Sequence, residues 1–155
     1  MFNNQLMALA EDVIKLFKAQ NLHLATAESC TGGLIAGCLT AVAGASEVLT
    51  HGYVTYANQA KINLLGITQD QLVKHGAVSE TVSRAMAEGA ISDEHADVAV
   101  SVTGIAGPGG GSAEKPVGLV YISVAQKGQE TLHERHVFSG DRNAVRLQTI
   151  EAAFR

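Results

Sequence analysis

Apolar residues recur at mixed three- and four-residue spacings through residues 3 to 20, where Leu6, Ala10, Val13, Leu16 and Phe17 mark one face of a predicted amphipathic helix. Leu22 to Ala27 then reads as a short strand, and Ser29 or Thr31 as the cap of a second helix from about Gly32 to Val42, with Gly44 near its end. Val48 to Tyr56, rich in β-branched and aromatic residues, predicts a strand despite Gly52. Two short helices follow at Asn58 to Leu65 and Gln69 to His75, divided at Gly66, and a longer one runs from a Ser79 cap, with Glu80 in its first turn, to about Asp93. Asp97 to Thr103, DVAVSVT, is the kind of near-continuous apolar run that is buried on both faces of a sheet, which predicts a central strand. A long glycine-rich loop, GIAGPGGGSAEKPVG, leads to strands at about Leu119 to Ala125 and Glu130 to Val137, joined through QKGQ, and a last helix starts near Asp141. Strands and helices in this order predict a three-layer α/β/α sandwich with a mixed, largely parallel sheet. No internal repeat, linker or low-complexity tail divides it, so one domain over residues 1–155 is expected.

Composition narrows what such a domain does. With 11 Lys and Arg against 15 Asp and Glu, a net charge of -4, the chain has no basic surplus for a polyanion, so nucleic acid is not an expected partner. No apolar run approaches the roughly 20 residues of a bilayer span, and the first helix carries acids, unlike a signal sequence. A cytoplasmic protein without membrane contact is expected. Cys30 and Cys38 lie eight positions apart in a stretch predicted to be largely helical, where a rise of about 1.5 Å per residue puts them beyond disulfide reach. The chain has no Trp and only 4 Phe and 3 Tyr, which leaves the core to small aliphatic side chains.

Candidate chemistry concentrates in AESCTGG, residues 27 to 33, which places Ser29 where a strand passes into a helix. Helix-start amides near Thr31, Gly32 and Gly33 would suit the negative charge that develops on a carbonyl oxygen under attack. A serine needs a base, and spacing singles out none of the six histidines, His23, His51, His75, His95, His133 and His136. YVTYANQAK offers another solution, because Tyr56 at a strand end and Lys61 one turn into the next helix would face one pocket. Lysine serves as a base only where burial or nearby positive charge lowers its pKa. Each residue also has a plainer reading: Ser29 as a helix cap, Lys61 on a solvated face, Tyr56 as a core aromatic.

Cys30 is the rival nucleophile, since helix N-termini lower thiol pKa values. Thr103 to Gly111, TGIAGPGGG, leaves a buried strand end, where open α/β sheets bind ligands. It is neither a Walker motif nor a dinucleotide fingerprint, which leaves a phosphate- or nucleotide-facing loop or a mobile surface loop. Arg142 and Arg146, four apart at the start of the last helix, could each grip a phosphate or lie on the surface. His133 and His136 would point to opposite faces of a strand, so no metal site is predicted.

Taken together, AESCTGGLIAGCLTAVAGAS, GYVTYANQAKINLLGI, HGAVSETVSRAMAEGA and SVTGIAGPGGGSAEKPVGLVYIS resemble the C-terminal domain of the competence-damage-inducible protein CinA, a family domain that also occurs alone as a nicotinamide-nucleotide amidohydrolase. The resemblance covers almost the whole chain, with the motifs in order. It implies hydrolysis of the carboxamide of nicotinamide mononucleotide to nicotinic acid mononucleotide and ammonia in pyridine-nucleotide salvage, with no metal or other cofactor. Ser29 in ESCTGG corresponds to the family's nucleophile, Lys61 in YANQAK to its base and Tyr56 to an assisting group. Thr103 and Gly104 in SVTGIAGP and Arg142 in GDRNAVR are implied substrate contacts, and a homo-oligomer is expected. The chain lacks the N-terminal, molybdopterin-domain-like part of full-length CinA proteins, so activities of that part are not expected here. The last helix reaches Arg155 without a stop signal, which would weaken an oligomer interface if the helix were truncated. Two other readings stay open, a nucleotide-binding or interaction module without catalysis and an amidase or esterase with another substrate.

Overall fold

Leu24, Ala25, Thr26, Ala27 and Glu28 are all buried, because the strand they form, β1 (Leu24–Glu28), lies inside a five-stranded sheet. In this computed structural model, which describes residues 2–92 and 95–155, β1 pairs in parallel with β2 (Leu49–Val54) on one side and β3 (Val98–Gly104) on the other. Strand β4 (Leu119–Gln126) runs antiparallel to β3, and β5 (Leu132–Val137) antiparallel to β4, giving the order β2-β1-β3-β4-β5. Every strand except β4 therefore points the same way, the mixed and largely parallel sheet expected. DVAVSVT does supply the middle strand, and its period-two alternation feeds both sides: Val98, Val100 and Val102 join one apolar cluster and Ala99 the other.

Helices cover both faces. On one side lie α1 (Asn4–Gln20), α2 (Leu34–Thr40) and α6 (Arg142–Phe154), whose Leu6, Ala10, Ile14, Ile35, Leu39, Val145 and Ile150 close over β1, β3 and β4. On the other lie α3 (Asn58–Leu65), α4 (Gln69–His75) and α5 (Glu80–Ala90), which bury Leu65, Leu72, Val82 and Met86 against Ala25, Ala27 and Ala99. Caps agree with local chemistry: Asn3, Thr68, Ser79 and Asp141 each accept a first-turn amide, and Gly66 ends α3 in the left-handed conformation. Among the described residues no helix is long and apolar enough to cross a membrane.

Several boundaries differ from expectation for identifiable reasons. In α1 the buried stripe passes through Ile14 and leaves Leu16 exposed, since two residues along a helix turn a side chain to the opposite side. Strand β2 stops at Val54, short of Tyr56, and β5 starts at Leu132 after a longer turn than QKGQ alone. The expected end of α5 at Asp93 lies outside the described residues; the helix runs to Ala90. Neither Ser29 nor Thr31 caps α2, which starts at Leu34 after Gly33 without a side-chain cap from that position.

Candidate functional site

The parallel strands end on a common edge, and that is where the serine sits. Ser29 follows the last residue of β1, its amide donating to the Val102 carbonyl of β3 at 3.0 Å. Across from it, Lys61 occupies the first turn of α3 and turns inward, with 1% of its surface exposed. Its Nζ lies 3.1 Å from Ser29 Oγ, 2.8 Å from the Thr55 carbonyl and 3.4 Å from the Tyr56 carbonyl. Burial pushes the Lys61 pKa below its ordinary value, an effect opposed by the neighbouring Cys30. A neutral amine has two N–H bonds and one lone pair: with two carbonyls taking the hydrogens, the lone pair is left for the Ser29 hydroxyl.

The turn after Ser29 is fastened from both sides. The Glu28 carboxylate, itself buried, accepts from the amides of Gly33, Ile35 and Ala36 at 3.1, 3.0 and 2.9 Å. From α6, Arg146 donates to the Thr31 carbonyl at 3.1 Å. The Gly32 amide donates to the Ser29 carbonyl. Two of the three amides expected to face a substrate, those of Gly32 and Gly33, are thus committed inside the protein. Gly33 adopts a φ of 95°, a left-handed conformation natural to glycine, as the chain swings from β1 into α2.

Ser29 opens into a pocket of about 270 Å³, lined also by Cys30, Tyr56, Gly104 to Gly107, Gly109, Gly110 and Arg142. Arg142 bridges its mouth, donating to the Tyr56 hydroxyl at 2.7 Å and to the Gly107 carbonyl at 2.9 Å. Arg142 and Ala106 also border an adjoining hollow of about 470 Å³. Gly104 has to be glycine to lie flat beside β4: a Cβ there would stand 2.6 Å from Val120 Cγ2 and 2.7 Å from the Leu119 carbonyl oxygen. The structure therefore brings Ser29, Lys61, Tyr56, Gly104 and Arg142 together. Thr31, Gly32, Gly33 and Thr103 do not line the pocket. Thr103 is buried with its hydroxyl donating to the Ala77 carbonyl, so it serves the packing of the loop before α5.

The histidines lie away from the pocket, and the Cys30 thiol is buried beside Ser29. None of the six histidines lines the pocket: the His23 ring lies against Asp97, His133 and His136 against Glu80 and Glu134, and His51 stacks between Tyr53 and His95. Cys30 and Cys38 are free thiols, both buried. Burial pushes the Cys30 thiol up to about 11, with Glu28 adding to the rise. The low thiol pKa expected of a helix start does not arise here, because α2 begins four residues later and its amides already hold Glu28. Two participants carried no sequence signal: Thr55 contributes a main-chain carbonyl, and Glu28 acts five to eight positions from the amides it holds.

Comparison with known proteins converges on one family. The family model for the CinA C-terminal domain matches residues 6–155. Nicotinamide-nucleotide amidohydrolase PncC of Escherichia coli is 49% identical over 148 residues, covering 96% of this chain and 90% of that protein. A CinA-like protein of Akkermansia muciniphila is 50% identical over 146 residues, covering 94% of this chain but only 35% of the relative. In structure, the chain superimposes with a TM-score of 0.97 on competence/damage inducible protein CihA of Agrobacterium tumefaciens, at 46% identity over 99% of this chain and 94% of that one.

Proposed function

This chain belongs to the CinA C-terminal domain family, and we propose that it is a nicotinamide mononucleotide deamidase working through Ser29 and Lys61. The observation that carries the reading is the 3.1 Å approach of a buried, pKa-lowered lysine to the hydroxyl of Ser29 at the bottom of an open pocket. Neutral Lys61 takes the Ser29 proton as Oγ attacks the carboxamide carbon. The oxyanion of the tetrahedral intermediate falls to the amide of Cys30, which lines the pocket beside Ser29, while those of Gly32 and Gly33 are taken. Protonated Lys61 passes its proton to the departing nitrogen, and ammonia leaves an ester on Ser29. Lys61 then draws a proton from water, hydroxide attacks the ester, and the released Ser29 alkoxide recovers the proton from Lys61.

Substrate capture falls to the rim. Arg142 uses two of its N–H groups on Tyr56 and Gly107, and its remaining donors suit the 5'-phosphate of a nucleotide extending into the adjoining hollow. Tyr56 in this reading orients Arg142 and shapes the mouth. It is not needed as a proton relay, because Lys61 reaches Ser29 directly. The PncC relatives, matched over nine-tenths of their length, support this substrate.

The test is ammonia release from nicotinamide mononucleotide by wild type and Ser29→Ala, with and without EDTA. Wild type should turn over equally with the chelator, and Ser29→Ala should lose at least about 10³-fold. Binding of the mononucleotide without ammonia release by folded wild type would favour a non-catalytic module. Release from other carboxamides alone would move the substrate.

A further inference from the structure

We infer that Glu28 is the positioning residue of this site: its carboxylate holds the turn that carries Ser29, and its carbonyl holds the strand end that cradles Lys61. The inference rests on the Ser29 and Lys61 reading above and adds the part that sets their separation. Two independent attachments meet in this residue. Through the side chain, both carboxylate oxygens take amides of the α2 start, Oε2 those of Gly33 and Ile35 and Oε1 that of Ala36. Through the main chain, the Glu28 carbonyl accepts from the Thr55 amide at 2.8 Å, and the Thr55 carbonyl in turn accepts from Lys61 Nζ at 2.8 Å. Ser29 is the next residue in the chain, so the nucleophile is one covalent link from Glu28 and the base two hydrogen bonds away, through Thr55.

Among the described residues no other side chain accepts from the amides of Gly33, Ile35 and Ala36. Its N-cap position is Gly33, which has no side chain to offer. Without Glu28, three buried or half-buried amides, those of Gly33, Ile35 and Ala36, would be left without that acceptor, a cost the turn would relieve by rotating. Rotation of that turn moves Ser29 Oγ relative to Lys61. Glu28 does not line the pocket and so touches no substrate. Its effect belongs on the chemical step, with binding spared.

Glu28→Gln is the sharpest variant, since the amide keeps the shape but offers one acceptor oxygen where two are used, and turns an NH2 toward an N–H donor. With nicotinamide mononucleotide, kcat should fall about 10²-fold, the cost of displacing reacting groups by about an ångström. KM should change by less than about threefold. Labelling of Ser29 by a fluorophosphonate, a probe of activated serines that needs no nucleotide, should slow in parallel with kcat. Folded Glu28→Gln with wild-type kcat and labelling, or with a change confined to KM, would overturn the inference. Wild type that does not label would instead strike the Ser29 reading itself. Should Glu28→Gln not fold, Glu28→Asp keeps the charge but is one methylene too short for three amides, and the same split is expected. In wild type the amides of Ile35 and Ala36 should exchange slowly with solvent, and exchange at the rate of an open loop would also overturn the inference.

Discussion

At the bottom of the pocket Lys61 is 1% exposed and spends its amine on two carbonyls and one hydroxyl, whereas at the mouth Tyr56 is 59% exposed and holds Arg142 by a single hydroxyl. Lys61 stands behind Ser29 and Tyr56 lines the pocket itself, so the two regions work under opposite physical conditions. Below, exclusion of water makes each contact strong and lets burial set the lysine's protonation. Above, water competes for every contact, and side chains can exchange partners at little cost. Chemistry that depends on a shifted pKa belongs in the first environment, and capture of a charged ligand in the second. Substitutions at the bottom should therefore damage turnover, and those at the mouth affinity.

The largest effect expected from the bottom, beyond loss of Ser29 itself, is that of Lys61→Met, which should lower kcat by about 10²- to 10⁴-fold, the usual range for a general base. In wild type, kcat/KM should climb with pH as Lys61 loses its proton and level off below the ordinary lysine value of 10.5. Stability should carry the same signature. Between the lowered folded pKa and 10.5 the unfolded chain binds the extra proton, so wild type gains stability as pH rises, by up to about 1.4 kcal/mol per pH unit. Lys61→Met lacks that contribution. Urea unfolding of both proteins across this window should give curves that diverge with pH. Parallel curves would mean that Lys61 titrates like a surface lysine and that the bottom of the pocket is wetter than its geometry implies.

A smaller effect is expected at the mouth. Arg142→Met removes the donors assigned to phosphate and should raise KM for nicotinamide mononucleotide about 10- to 100-fold, the worth of a charged hydrogen-bonded contact, with kcat changed far less. Tyr56→Phe, which removes only the hydroxyl from Arg142, should raise KM by no more than about tenfold. A loss in kcat for Tyr56→Phe comparable to that of Lys61→Met would place Tyr56 in the proton path and erase the distinction between bottom and mouth. Steady-state kinetics on the two variants decides it.

The same contrast explains what could be read from the residues alone. The mixed, largely parallel character of the sheet, the central place of DVAVSVT and most helix limits were legible because they follow from periodicity and caps within a dozen residues. Ser29 and Lys61 could be nominated by residue type, but their contact spans 32 positions and exists only because β1 and α3 meet at one sheet edge. Arg142 and Tyr56, 86 positions apart, are a similar case. Glu28 was invisible for another reason. Capping rules inspect the residue just before a helix, and here that residue is Gly33, while the acceptor reaches in from the end of the preceding strand. Once Glu28 takes the amides of Gly33 and the α2 start and the Ser29 carbonyl takes that of Gly32, expectations built on free amides at Gly32 and Gly33, or on an acidic Cys30 thiol, lose their basis.

Cys30 gives the smallest effect and the cleanest check on that last point. It lines the pocket beside Ser29, yet burial holds its thiol at about 11, so at neutral pH it is a protonated, apolar wall. Cys30→Ala should keep kcat within about threefold of wild type, because the side chain contributes packing and its amide, which the substitution preserves, contributes the hydrogen-bond donor. Alkylation of native protein by iodoacetamide at neutral pH should be slow at Cys30 and should accelerate only as pH approaches 11. Rapid alkylation at neutral pH, with activity lost in step, would show a thiolate in the pocket. It would mean that the α2 amides reach Cys30 despite Glu28, and the assignment of nucleophile would pass from Ser29 to its neighbour if Cys30→Ala were also inactive.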